Sequence, residues 1–277
     1  MTQLNSTANT VGTVKTPSRP PVANQSRWSR TGPILSIGVI VLLLVLWWVL
    51  TTGTGIIRRL YFPTPEAVLT AFSTLGWQLL VDAGVTLLRV LVSLIGGSTL
   101  GVLVGLAMAR SRLFWYMANP VIEAVRPVPP VALIPFVILW FGIGDSGKFF
   151  LGALACFMVM VINTTVAIGN VPPVYLRAAR SLGASSGTVY RKVVLPAIVP
   201  EILSGFRIGN ALAFATIVAA EFLGADAGIG MLIMQASRTL NTSVVLLGTA
   251  VIAAMAVLLD LVISRIIRYL TRWATNH

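Results

Sequence analysis

Charged residues inside apolar runs are the first candidates for chemistry in this chain. Arg89, Glu201, Arg207, Glu221 and Asp260 each interrupt or border a long apolar stretch. A charge in hydrocarbon is costly, so such side chains must face protein or a water-filled path. Arg207 lies about ten residues into its run, where a guanidinium suits an anion crossing the midplane. Glu221 follows fourteen residues later, on nearly the same helical face and close to the outer end of the run. It is a candidate for the solute path or for an ion pair at a gate, and structural pairing is the competing reading for both residues. Arg126-Pro-Val-Pro-Pro130 cannot continue a helix, because its prolines lack N–H donors and fix φ. Broken backbone at membrane depth must be buried in protein or line a cavity. Arg126, Pro127 and Pro129 therefore form a candidate gate or hinge, with an interfacial turn as the alternative.

Other chemistry is excluded by what is missing. Gly142-Ile-Gly-Asp-Ser-Gly-Lys148 comes close to a phosphate-binding loop, but Phe149 stands where Ser or Thr is needed and no strand precedes it. It reads as a turn, and this chain has no ATPase site of its own. The only histidine is the last residue, His277, and the only cysteine, Cys156, sits in an apolar run. No metal site, disulfide or hydrolytic triad can be built from these residues. No catalytic residue and no metal ligand is assigned.

The elements that must hold these residues follow from composition. The 277 residues are 56% hydrophobic and 10% charged, with mean hydropathy +0.89. Soluble domains carry about 25% charged residues. Unbroken apolar runs indicate membrane helices, whereas a barrel would alternate apolar and polar positions. The net charge of +12 does not signal nucleic acid, since the basic residues recur between apolar runs instead of forming one patch.

Residues 1–30 are rich in Ser, Thr, Pro, Asn and Gln, and the expectation is a disordered cytoplasmic tail. Residues 31–277 form the membrane domain. Six spans are expected at about 34–52, 84–109, 128–144, 149–169, 197–223 and 244–263. A short amphipathic helix begins at Pro65. Gly97, Gly101 and Gly105 recur every four residues, so one face of the second span is bare and another helix can approach it closely. With both termini inside, thirteen Lys and Arg lie on the inner segments and four (Arg58, Arg59, Lys148, Arg238) on the outer ones. That bias places the termini and the 170–196 loop in the cytoplasm.

The 170–196 loop is basic and punctuated by glycine. Pro172 and Pro173 suit the start of a helix. Tyr175, Ala178, Ala179 and Leu182 fall on one face, and Gly183 is placed as a C-terminal cap. Ser185 or Ser186 can cap a second short helix over 188–194, and Pro196 opens the next span.

The spacing Ala178-Ala179, Gly183, Leu195-Pro196 resembles the EAA motif of ABC importer permeases, Glu-Ala-Ala-x3-Gly-x9-Ile-x-Leu-Pro. Arg177 stands where the motif has Glu, and Val193 where it has Ile. Glu123-Ala-Val-Arg-Pro-Val-Pro-Pro130, Trp140-Phe-Gly-Ile-Gly144, Arg177-Ala-Ala-Arg-Ser-Leu-Gly-Ala184 and Pro200-Glu-Ile-Leu-Ser-Gly-Phe-Arg-Ile-Gly209 look like the taurine, aliphatic-sulfonate and nitrate subgroup. Arg at 177 is similar to the sulfonate-type members.

The resemblance implies an all-α transmembrane fold, the six-helix type I ABC importer permease with cytoplasmic coupling helices. It implies a second copy of the chain, two ATP-binding cassette subunits, an extracytoplasmic substrate-binding protein and a place in the bacterial inner membrane. ATP and Mg²⁺ would be held by the partner ATPase, with no cofactor on this chain and no nucleic-acid partner. Arg177, Ala178, Ala179, Gly183, Leu195 and Pro196 would couple to the ATPase. The transported solute would be a small anion, taurine or another sulfonate, with nitrate or another organic anion as alternatives. The competing function is a self-sufficient secondary transporter or channel, which predicts internal inverted repeats and a membrane ion relay. Neither is visible in the sequence.

Overall fold

The computed structural model describes residues 28–54 and 61–271. Most of the expected tail, together with Arg58 and Arg59, lies outside the described residues; residues 28–30 open the first helix. Every regular element among the described residues is a helix or helical turn, with no strand.

Helix α1 (Trp28–Trp48) continues into a π turn at Val49–Gly53. It is apolar on all sides, and the side chains described from Leu35 to Leu46 are almost all exposed. A helix of this kind needs lipid or protein around it. Its C-terminal end is anchored: Trp47 Nε1 donates to Pro63 O at 3.0 Å, and Trp48 Nε1 donates to Glu66 Oε1 at 2.9 Å.

Helix α2 (Pro65–Arg110) is capped by Thr64, whose hydroxyl accepts from Ala67 N at 3.3 Å. Gly76, at φ 50°, breaks it into the leading amphipathic segment and a membrane-long segment. Helix α3 (Arg112–Val125) is capped by Ser111. A 3₁₀ turn at Pro130–Leu133 then leads into α4 (Ile134–Phe141). The expected third span is therefore not one straight helix over 128–144. Pro130–Phe141 alone is too short to cross a bilayer, and with α3 it forms a pair bent by 84° at the proline cluster.

Helix α5 (Asp145–Gly169) packs along α2. A Cβ on Gly97 would strike the Ala153 carbonyl; on Gly101 it would lie 2.6 Å from Phe157 O, and on Gly105 2.7 Å from Thr164 Cβ. In lipid, helices gain little from the hydrophobic effect, and close backbone approach at small residues takes over. The bare stripe of α2 thus selects α5 as its partner.

Helices α6 (Pro173–Ser181) and α7 (Ser186–Val189) follow. A π turn at Tyr190–Val194 runs directly into α8 (Leu195–Leu223). Helix α9 (Ile229–Arg238) doubles back, and α10 (Thr242–Leu270) closes the described fold. Among the described residues, four helical runs are long and apolar enough to cross a membrane, or five if the bent pair counts as one span. The described apolar stretch of α1, Ile37–Gly53, is shorter. Val90 and Leu94 of α2, Cys156 of α5 and Ala213, Phe214 and Ile217 of α8 form the central core.

Candidate coupling segment and buried charge cluster

The segment between α5 and α8 is built by local capping. Gly183 N donates to Arg180 O at 2.9 Å, and Ala184 N donates to Ala179 O at 3.1 Å. With Gly183 at φ 78°, this is a Schellman closure of α6, the left-handed cap that glycine adopts without strain. Ser185 is the residue that caps α7: its Oγ accepts from Thr188 N at 3.3 Å.

The second short helix expected over 188–194 is not a separate unit. Leu195 N donates to Tyr190 O, so residues 190–194 form a π turn continuous with α8. Pro196 has no N–H with which to bond the carbonyl four residues back, and a local widening accommodates this. The segment is fastened to the membrane helices by an apolar cluster of Ala167, Val171, Val194 and Ile198, joined by Leu176, Tyr190 and Leu195. Tyr190 Oη donates to Leu106 O of α2 at 3.1 Å.

Outside this cluster, α6 presents bare apolar surface. Tyr175 is 57% exposed and Leu182 is 88% exposed. Arg177 and Ala178 are exposed beside them, and Ala179 is half-buried. This surface lies uncovered on a segment held between α5 and α8.

Arg89, Glu221, Arg207 and Asp260 separate into two sites, while Glu201 of α8 is exposed and joins neither. Arg207 of α8 meets Asp260 of α10 in a bidentate pair, with Nε–Oδ1 and Nη2–Oδ2 both at 2.8 Å. That pair is partly open, with the Arg207 side chain 52% exposed. Glu221 does not join it. Its buried carboxylate receives Arg89 Nη1 at 2.6 Å, the Thr86 hydroxyl at 3.0 Å and Gly230 N at 2.9 Å. Arg89 also donates to Ala227 O at 2.6 Å and, through Nη2, to Asp145 Oδ1 at 2.6 Å. Lys148 lies 3.6 Å from Asp145 and donates to Ile143 O at 2.7 Å. Thr86 Oγ1 accepts from Ile229 N at 2.9 Å, and Asp82 Oδ1 accepts from Gly228 N at 2.9 Å.

One guanidinium thus joins α2 to α5 and α8, while Asp82 and Thr86 of α2 tie down the 224–230 loop and the start of α9. The loop comes this close because it is bare: a Cβ on Gly228 would lie 2.5 Å from Glu221 Oε1, and one on Gly230 2.6 Å from Glu221 Cβ. A cleft of about 250 Å³ opens beside the cluster, lined in part by Phe222, Met231, Gln235 and Arg238.

Asp82, Thr86 and Asp145 escape the search for isolated charges. The signal lies in their spacing. Gln78, Asp82, Thr86 and Arg89 recur at helical intervals and draw a polar stripe down an apolar helix. Arg126, by contrast, is exposed and, among the described residues, pairs with its neighbour Glu123 at 3.8 Å. Pro127 and Pro129 sit in the bend between α3 and α4 and are exposed.

Residues 97–276 match the family model for binding-protein-dependent transport system inner membrane components. The chain is 39% identical to the taurine transport system permease protein TauC of Escherichia coli, over 89% of this chain and 92% of that one. It belongs to the binding-protein-dependent permease family. The chain is thus a membrane transport subunit and not itself an enzyme. It is 35% identical to the putative aliphatic sulfonates permease SsuC of E. coli, over 86% of this chain and 90% of that one. Identity to the nitrate import permease NrtB of Synechocystis is 29%, over 80% and 83%. The fold resembles a chain of the inward-facing MetNI methionine ABC transporter, with TM-score 0.57 and 22% identity over 70% of this permease and 96% of that chain.

Proposed function

We propose that this permease forms the membrane pathway of an ATP-driven importer for taurine or another small sulfonate. Two copies of the chain would pair, two ATP-binding cassette subunits would dock on the cytoplasmic side, and an extracytoplasmic binding protein would deliver the solute. ATP and Mg²⁺ belong to the ATPase subunits. The observation that carries the substrate class is the 39% identity to TauC across nearly the whole length of both chains.

The coupling role of α6 and α7 rests on their geometry. Their ends are locked by the Schellman closure and the Ser185 cap, so a push on exposed Leu182 or Tyr175 moves the pair as a unit. The hydrophobic anchor at Val194 and Ile198 passes that motion to α8, and Tyr190 passes it to α2. Ala178, Ala179 and Gly183 leave room for a groove to close over them, while Leu195 and Pro196 set the junction with α8. Arg177 replaces the motif carboxylate and meets the ATPase as a cation. Small sulfonates would pass the half-open guanidinium of Arg207 once it is released from Asp260. Alternating access would bend the chain at the Arg126–Pro129 hinge.

Uptake of labelled taurine by cells lacking their own sulfonate permeases tests the reading. Import is expected only when permease, ATPase and binding protein are expressed together. Accumulation without the ATPase would support a self-sufficient transporter instead. Import of nitrate with no import of any sulfonate would overturn the substrate class.

A further inference from the structure

We infer that the cleft between the end of α2 and helix α6 binds an anionic phospholipid. The cleft is about 270 Å³ and is bordered by Arg110, the last residue of α2, and Arg180, near the end of α6. Ile168, Leu176, Val189 and Val194 supply an apolar wall. Both arginines are exposed, and among the described residues no carboxylate lies within 4.0 Å of either.

Two guanidinium forks on one cleft suit a phosphate diester, which each can grip through two N–H groups. The apolar wall suits the first methylenes of an acyl chain. Position selects a lipid over a soluble phosphate. Arg110 ends α2, Ile168 lies at the end of α5, and Val194 leads into α8. Three membrane helices finish at the cleft, which sets it at the level of the headgroups. Basic pockets at that level on the cytoplasmic side attract anionic headgroups.

The inference rests on the proposed inward placement of residues 170–196. A lipid seated there would bridge α2 to the helix that is proposed to meet the ATPase. Coupling would then depend on the anionic lipid content of the membrane.

The test uses the permease assembled with its ATPase and binding protein, in nanodiscs of phosphatidylcholine with or without phosphatidylglycerol. Native mass spectrometry counts the phosphatidylglycerol retained. The double variant Arg110→Gln/Arg180→Gln is expected to retain about tenfold less and to lose the phosphatidylglycerol-dependent part of ATP hydrolysis. Arg110→Lys/Arg180→Lys is expected to keep most of both, which separates lost charge from misfolding. Arg112→Gln, outside the cleft, is expected to change neither.

Undiminished retention by the Gln double variant would overturn the inference. So would displacement of the lipid by glycerol phosphate alone, which would mark a soluble-phosphate site. Loss of the ATPase subunit from the Gln variant with lipid retention intact would mark a protein contact instead, and would also overturn it. The orientation is read separately, by labelling Ser186→Cys with an impermeant maleimide in inside-out and right-side-out vesicles. Labelling only from the outer side would sink the placement without touching the lipid count.

Discussion

Arg89 Nη1 and Glu221 Oε1 lie 2.6 Å apart, although 132 residues separate them, and both side chains are almost completely buried. Around this pair the structure gathers Thr86, Asp145 and the backbone of the 227–230 loop, so nearly every donor is used. Breaking a buried pair by removing one partner leaves an uncompensated charge, which costs about 3–5 kcal/mol. Arg89→Ala is therefore expected to be the most damaging single change at this site, because the enclosed Glu221 carboxylate loses its main partner. Glu221→Gln keeps the shape and leaves Arg89 with Asp145, so it is expected to cost less. Thermal unfolding of the purified permease, with the double variant Arg89→Ala/Glu221→Gln closing a cycle, checks the ranking. Equal losses for Arg89→Ala and Glu221→Gln would show that the pair is not the centre of the cluster.

The 224–230 loop reaches the cluster through glycine. Gly230→Leu would drive a side chain into the Glu221 Cβ at 2.6 Å, and overpacking of this kind costs about 1–3 kcal/mol. Reduced uptake with a lowered melting temperature is expected. Gly84→Ala, which meets nothing within 4 Å, is expected to behave as wild type in both assays.

The α2–α5 contact gives a second contrast within one helix. Gly101→Leu would collide with the Phe157 carbonyl at 2.6 Å, whereas Gly96→Ala faces open space. The first is expected to lower the yield of folded permease on size-exclusion chromatography and the second to leave it unchanged. Similar yields would mean that α2 and α5 can separate without loss.

Gly183 tests coupling apart from folding. A Cβ built on Gly183 meets no atom of the described residues beyond its chain neighbours within 4 Å, so bulk there has room in this fold and would be felt by a partner. Asn tolerates the left-handed conformation that φ 78° requires, at a cost of about 1 kcal/mol or less. Gly183→Asn is expected to import at near wild-type rate. Gly183→Trp is expected to reach the membrane and form the dimer, yet lose ATPase association or solute-stimulated hydrolysis. Normal uptake by the Trp variant would remove α6 from the coupling role.

Arg207 and Asp260 separate a transport role from a structural one. Arg207→Ala is expected to impair uptake of an anion while the complex still assembles. Asp260→Asn frees the guanidinium instead of deleting it, and is expected to impair uptake less. Equal defects in the two variants would make the pair a structural tie between α8 and α10.

The features legible along the chain are those that depend on near neighbours. Long apolar runs must be helices in lipid, because every backbone group there needs an internal partner. Ser185 and Gly183 could be read as caps because a cap closes on residues two to five positions away. The glycine stripe at 97, 101 and 105 announced a close helix contact, but not that the helix would be α5. The bend at the proline cluster was legible; the division of the expected 128–144 span into a short turn and a short helix was not, nor was the fusion of 190–194 with α8. Glu221 and Arg207 share a helix face and could have shared a site. Packing alone sends one to Arg89 and the other to Asp260, and brings in Asp145 from the first turn of α5. A buried charge takes its counter-charge from whichever helix packs beside it, and that neighbour is chosen by side-chain fit across the whole bundle.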